Sequence, residues 1–224
     1  MKTKLYDVKT ESSQFIVVEG PIGVGKTSLA KKLSESLSGT LILEDIDNNP
    51  FLDRFYKGGR GALPAQLHCL FQRAKQLEIL RQSDLFSSIY VADFHLEKDK
   101  LFASVNLDSS ELELYEKVYE NMDIENVVPD LVIYLQANPS VLLERIARRN
   151  VPSEKFIDRN YLENITESFA RHYHSYDDGP LLIVNTASID PLNNENEYVQ
   201  LLEQIKTTKG GRHFFNPLSV VGFS

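Results

Sequence analysis

Short near-continuous runs of β-branched, aliphatic and aromatic residues recur along the chain. Between them lie longer stretches in which apolar positions return every three or four residues. Phe15–Val18, Thr40–Leu43, Ile89–Ala92, Leu131–Leu135 and Leu181–Val184 have the pattern of strands buried on both faces. Lys26–Leu37, Leu63–Arg81, Ser109–Met122, Pro139–Arg149, Asn160–Tyr173 and Pro191–Ile205 have the pattern of amphipathic helices. The alternation predicts an α/β fold, a five-stranded parallel sheet covered by helices. Helix-start signals agree with it. Asn138-Pro139 and Asp190-Pro191 place a capping side chain before a proline in the first turn. Asp108 and Glu111 have the spacing of a capping box. One domain is expected over residues 1–209, followed by an apolar tail, 210–224, without clear period. That tail, with Phe214, Phe215 and Phe223 behind a Gly-Gly pair, is expected to dock on its own domain or on a second subunit.

The first strand–helix junction carries the first chemistry. Gly20-Pro21-Ile22-Gly23-Val24-Gly25-Lys26-Thr27, with Ser28 behind it, matches the phosphate-binding loop. Glycines let backbone N–H groups curl around phosphate oxygens, and the helix that follows points its positive end at them. Lys26 is placed for the β and γ phosphates and Thr27 for Mg²⁺. The same residues without a ligand would be a tight glycine turn, but the strand before and the helix after favour nucleoside triphosphate binding.

Composition narrows the partners. The chain has 224 residues with 24 Lys+Arg against 32 Asp+Glu, a formal charge of -8. That balance argues against non-specific nucleic-acid binding, which needs a basic surface. The apolar runs are strand-sized and fall short of the roughly 20 residues that span a bilayer, so no membrane association is expected. The N-terminus lacks an apolar stretch and reads as no signal peptide. The single cysteine, Cys69, cannot form an internal disulfide, and a cytoplasmic location is expected.

Acids and arginines supply the remaining candidates. Glu44 and Asp93 close the second and third predicted strands, where side chains face the ligand crevice of a parallel sheet. Asp93 suits Mg²⁺ or its waters opposite Thr27; Glu44 suits proton acceptance, unless its acidic neighbours make the segment a solvated loop. Gln66 and Arg73, seven positions apart on one predicted helix, share a face; read alone, they serve a nucleobase edge or a polar surface stripe. Arg145, Arg148 and Arg149 end a helix before a segment expected to be mobile, Ser153–Asp158. They could close a lid over a γ phosphate or merely complement the helix dipole. Cys69 reads as core or pocket wall, His172 and His174 as ordinary surface or core residues, and Leu67, Leu70, Phe71, Leu77 and Leu80 as a core stripe.

Glu19–Thr27, Glu44–Tyr56, Gln66–Arg73, Asp93–Ala103 and Arg145–Arg149 together resemble, in order and spacing, the deoxynucleoside kinase family. The likeness is to its bacterial deoxyguanosine/deoxyadenosine kinase-like branch and covers about residues 14–206. The resemblance implies ATP-dependent 5′-phosphorylation of a deoxynucleoside on a P-loop kinase fold with an arginine-bearing lid, and a homodimer. It implies that Glu44 is the base for the 5′-hydroxyl, that Gln66 reads the nucleobase and that Tyr56 contacts the 3′-hydroxyl. It also implies an Arg73–Asp99 pair that favours purine or cytosine over thymine. Three positions depart from the family pattern: Phe94 stands where an arginine usually follows the acid, and Asn150-Val151 replace a Gly-Arg. A nucleoside-monophosphate kinase, using Arg54, Lys57 and Arg60 for the extra phosphate, is one alternative. A nucleotide-binding regulatory subunit with weakened catalysis is the other.

Overall fold

The computed structural model describes residues 14–45, 48–58, 61–82, 89–122, 124, 127–215 and 217. Its strands are β1 (Gln14–Glu19), β2 (Thr40–Ile42), β3 (Ile89–Ala92), β4 (Leu131–Gln136), β5 (Leu181–Asn185) and β6 (Arg212–Phe215). They form one sheet in the order β2-β3-β1-β4-β5-β6, with every pairing parallel. The helices are α1 (Lys26–Ser36), α2 (Leu52–Tyr56), α3 (Ala62–Gln82), α4 (Lys98–Asn106), α5 (Ser109–Asn121), α6 (Pro139–Arg149), α7 (Arg159–Ser175) and α8 (Glu195–Thr207).

The near-continuous apolar strands are explained by burial on both faces. Along β1, Ile16 and Val18 pack with Leu29 and Leu33 of α1, Leu142 of α6 and Leu201 of α8. Phe15 and Val17 turn the other way, onto Leu70 and Leu77 of α3 and Tyr115 of α5. Behind β4 and β5 an aromatic stack of Tyr134, Phe169 and Tyr173 seats α7. The chain leaves β1 for β2 and β3 on one side and later places β4 and β5 on the other. The carboxyl ends of β1 and β3 therefore flank a topological switch point, where such sheets bind ligands.

Several expectations change at this level. The sheet has six strands, not five, because Arg212–Phe215 pairs with Leu181–Val184. The start of the apolar tail thus docks on its own sheet; residues 216 and 218–224 lie outside the described residues. Helices α2 and α4 were not expected. At five and nine residues they are too short for a period to declare itself in the sequence, and tertiary packing supports them. The Asp108–Glu111 capping box is present. Asp190 does not start α8: its carboxylate accepts from Asn193 in a turn, and Asn194 caps the helix at Glu195. Asn138 precedes Pro139 as N-cap, but its side chain makes no capping bond. Residues of the expected mobile segment fold as a 3₁₀ turn, Pro152–Phe156. Leu70, Leu77 and Leu80 are core as expected, whereas Phe71 is 52% exposed.

Phe215 is the buried residue that anchors β6 beside Val184. Phe215→Ala should lower unfolding stability by about 3 kcal/mol, the usual cost of emptying a phenylalanine site, measured by urea denaturation. A change below ~0.5 kcal/mol would mean that the sixth strand contributes little.

Candidate active site

The phosphate loop is built by close approach. Gly20 has φ 147°, and a Cβ there would lie 2.5 Å from the Leu135 carbonyl oxygen of β4. Gly23 has φ 81°, and its Cβ would meet Ile146 Cγ1 of α6 at 2.8 Å. Only glycine allows the loop to pass between sheet and helix in this shape. Lys26 Nζ donates to the carbonyls of Gly20 at 2.9 Å and Pro21 at 3.0 Å. Burial, with the charge of Lys98 beside it, lowers the Lys26 pKa to about 8. No side chain caps α1 and its first turn holds no acid, so its N–H groups and dipole suit an anion. At the end of β1 the fully buried Glu19 accepts from the Gly20 N–H at 3.0 Å and the His95 N–H at 2.7 Å. This ties the loop to the β3–α4 connection. Burial raises the Glu19 pKa, opposed by Lys98 and Lys26.

Asp93, at the end of β3, pins both sides of the cleft. Its Oδ2 accepts from Thr27 Oγ1 at 2.5 Å and its Oδ1 from the Glu44 N–H at 2.7 Å. A hydroxyl and a carboxylate touching at the foot of a phosphate loop are hard oxygen donors that fit Mg²⁺. Among the described residues no group of three or more His, Cys, Asp or Glu side chains could hold a metal by itself. The fit is therefore to an ion that shares its coordination with phosphate oxygens.

Glu44 lies just past β2 with its carboxylate between two cations. Arg73 of α3 pairs with Oε1, and Lys98 of α4 donates to Oε2 at 2.7 Å. Burial alone would raise its pKa; Arg73 and Lys98 overcome that and hold it at about 2. Arg73 also meets Asp99 at 2.5 Å. Gln66 Nε2 donates to the Asp99 carbonyl at 3.1 Å and carboxylate at 2.7 Å. Both neighbours of that nitrogen are acceptors, so the amide orientation is determined and Gln66 Oε1 is what remains for a ligand. Lys26, Thr27, Glu44, Gln66, Arg73 and Asp93 line one cavity of about 760 Å³, within the range for small-molecule sites.

Most of the expected site residues meet here. Ile22, Gly23 and Ser28 line the loop end of the cavity, and Tyr56 and Cys69 its wall. The Tyr56 ring lies tilted against Phe55 at 5.1 Å and edge-on to Tyr161 at 6.2 Å, and burial raises its hydroxyl pKa. The three arginines divide. Arg149 lines the cavity and is held by Glu154 of the 3₁₀ turn. Arg145 instead donates to the Val24 carbonyl at 3.2 Å and to Thr186 at 2.9 and 2.6 Å, bracing the phosphate loop against the end of β5. Arg148 is exposed and, like Arg145, is absent from the cavity wall. Its partnership with Arg149 came from helix spacing, which does not say which side of α6 faces the cleft. Asn150 takes the left-handed conformation, φ 54°, that a glycine would adopt, which asparagine tolerates best among the other residues. Phe94 is core.

Sequence reasoning missed Lys98, Glu154 and Glu19. Lys98 sits in Glu97-Lys98-Asp99-Lys100, a charged run that reads as solvated surface, yet it is 2% exposed. Its one available cue was the absent arginine at position 94, which left Glu44 short of a cation.

A phosphate loop at the end of β1, facing a buried carboxylate past β2 across one cleft, defines a P-loop kinase of a small acceptor. The chain belongs to the deoxynucleoside kinase family, whose model matches residues 16–208, and it is a transferase that phosphorylates deoxynucleosides with ATP. It is 32% identical to a deoxyguanosine kinase of Bacillus subtilis over 87% of this chain and 97% of the relative. With a deoxyadenosine kinase of Lactobacillus acidophilus it shares 29% identity over 86% and 94%. The fold matches that of a deoxyadenosine kinase from M. mycoides solved with bound dATP, with TM-score 0.73 and 24% identity over 87% of this chain and all of that one.

Removing Arg73 would leave Glu44 and Asp99 buried with too little positive charge. Arg73→Met should cost about 3–5 kcal/mol near neutral pH. The deficit should shrink as pH falls, because Asp99, whose folded pKa burial already raises, loses its opposing guanidinium, rises further and protonates first in the folded state. Denaturant unfolding at pH 7.5 and 5.5 reads this; an equal loss at both would show that the guanidinium does not govern that ionisation.

Proposed function

We propose that the chain transfers the γ-phosphoryl of ATP, with Mg²⁺, to the 5′-hydroxyl of a purine deoxynucleoside or deoxycytidine within one catalytic domain. The observation that carries this reading is the position of Glu44. It faces the same cavity as Lys26 and Thr27, while Gln66 and Arg73 line the acceptor end; Asp99, expected to meet the nucleoside, is fully buried behind them, outside the cavity wall, and holds both. In this reading Glu44 takes the 5′-hydroxyl proton and Tyr56 meets the 3′-hydroxyl. Gln66 Oε1 accepts from a donor on the base edge. Adenine and cytosine offer an exocyclic amine; guanine offers its ring N–H and amine.

The loop's N–H groups and Lys26 hold the donor phosphates. Arg149, swinging from Glu154, adds charge to the equatorial oxygens, and Arg145 keeps the loop in shape. Thr27 and Asp93 would hold Mg²⁺, which when bound neutralises charge on the β and γ oxygens. Phosphoryl transfer depends mainly on positioning and charge, so a base with a pKa of about 2 is serviceable: the hydroxyl proton moves late. ATP and a lone unpaired cysteine suit a cytoplasmic enzyme. A homodimer through α3 and α5 is supported by Phe71 and Leu114, 52% and 49% exposed on two helices that pack together.

The groups offered for a monophosphate acceptor do not favour that alternative. Lys57 is paired with Asp53 at 2.6 Å and half-exposed, Arg54 is exposed, and Arg60 lies outside the described residues. The regulatory-subunit alternative drew on Phe94 and Val151, but the cavity keeps Glu44, Lys26, Thr27 and Asp93.

Glu44→Gln should cut turnover by about 10²- to 10⁴-fold while ATP affinity stays within about threefold. Retained turnover would remove Glu44 from the mechanism. Assayed with Mg²⁺ and ATP, deoxynucleosides should be phosphorylated in preference to their monophosphates; the reverse preference would move the chain to the monophosphate kinases.

A further inference from the structure

A lysine 2% exposed at the start of a helix is costly to bury and needs a reason. Lys98 has no contact with solvent to speak of, lines the cavity, and its Nζ lies 2.7 Å from Glu44 Oε2. The other cation on Glu44, Arg73, is shared: it pairs with Asp99 as well as Glu44. One guanidinium between two buried carboxylates cannot keep both ionised, and Asp99 itself has a raised pKa from burial. Lys98 supplies the second positive charge, and it is directed at Glu44 alone among the carboxylates it contacts. Its own pKa rises although burial opposes it, through Glu44 and then Glu19, so the ammonium form persists.

Resting on the reading of Glu44 as the proton acceptor, we propose that Lys98 is a positioning residue for phosphoryl transfer. It fixes the rotamer of Glu44 while Arg73 is also engaged with Asp99. In the step it serves, the O5′–H bond breaks and its proton goes to Glu44. The O5′–Pγ bond forms, the bond from Pγ to the β,γ-bridging oxygen breaks, and ADP leaves with that electron pair. When Glu44 becomes neutral, the Lys98 charge loses its counterion inside a site that already holds Lys26. It is then available to the phosphoryl oxygens without any rearrangement of the fold. A compact ammonium with three rotatable donors suits this exchange of partners better than a planar guanidinium.

The experiment is the measurement of kcat and KM at one pH for Lys98→Met, Lys98→Gln and Lys98→Arg, with Glu44→Gln and the Glu44→Gln/Lys98→Met double variant. Thermal melting establishes that each is folded. Lys98→Met should lower kcat by about 100-fold and leave the KM for ATP and for the deoxynucleoside within about threefold. Lys98→Arg, which restores the charge without the compact donor, should recover only part of the rate. In the Glu44→Gln background, Lys98→Met should cost little more, since the two act as a unit. If Lys98→Met fails to fold, Lys98→Gln carries the same expectations.

A lysine that merely stabilises the fold would lower the melting temperature with kcat within about threefold of the wild type, and its effect would add to that of Glu44→Gln; either result overturns the proposal. Wild-type turnover in Lys98→Gln with an inactive Glu44→Gln overturns it while sparing the Glu44 reading. Retained turnover in Glu44→Gln would take down both.

Discussion

Everything in the cleft depends on one buried carboxylate being kept charged. Glu44 is nearly dry, with 6% of its side chain exposed, and isolated in such a place it would neutralise. Arg73 and Lys98 prevent that from two different helices, and Asp93 holds its backbone N–H from a third element. The position of α3 and α4 relative to β2 is therefore an electrostatic requirement as well as a packing result. The stability consequence has a definite sign. Glu44 has a folded pKa near 2 against an ordinary 4.5, so its contribution is fully present above pH 4.5 and fades as pH falls towards 2.

Asp93 couples the two halves of the chemistry. Through Thr27 it reaches the phosphate loop, and through the Glu44 N–H it reaches the acceptor side. A shift of β3 along the sheet would move the Glu44 backbone and the Thr27 hydroxyl together. Glu19 performs a similar service one strand over, clamping Gly20 and His95. Such bonds hold groups in productive geometry, which is most of what phosphoryl transfer asks of a protein.

At the other end of the cavity a few polar side chains fix one another. Asp99 is wholly buried and receives Arg73 on one oxygen and Gln66 on the other. Its hold on the Gln66 amide nitrogen removes the ambiguity that a free glutamine would carry. On the donor side the arginine expected in a trio is a single one at the cavity. Arg145 was drawn to the loop carbonyl and Thr186, and Asn150 keeps the turn that a glycine would have made.

By itself, the amino-acid sequence determined the parallel α/β architecture, the phosphate loop and the carboxylates at the ends of β2 and β3. Burial on both faces writes continuous apolar runs, and a phosphate cradle demands glycines at set spacings. The shared face of Gln66 and Arg73 on α3 was legible too, but the link to Asp99 needed a family likeness, since Asp99 lies on α4. Only the tertiary structure decided the rest. Lys98 entered the site because α4 packs against α3 and brings a charged run, which local pattern reads as solvated, up against Glu44. Arg145 and Arg148 left it because the rotation of α6, set by Leu142 and Ile146 in the core, aims them elsewhere. The sixth strand formed because β5 offered an unpaired edge. Local periodicity registers which residues prefer to be dry; it does not register which distant charge or strand edge will meet them there.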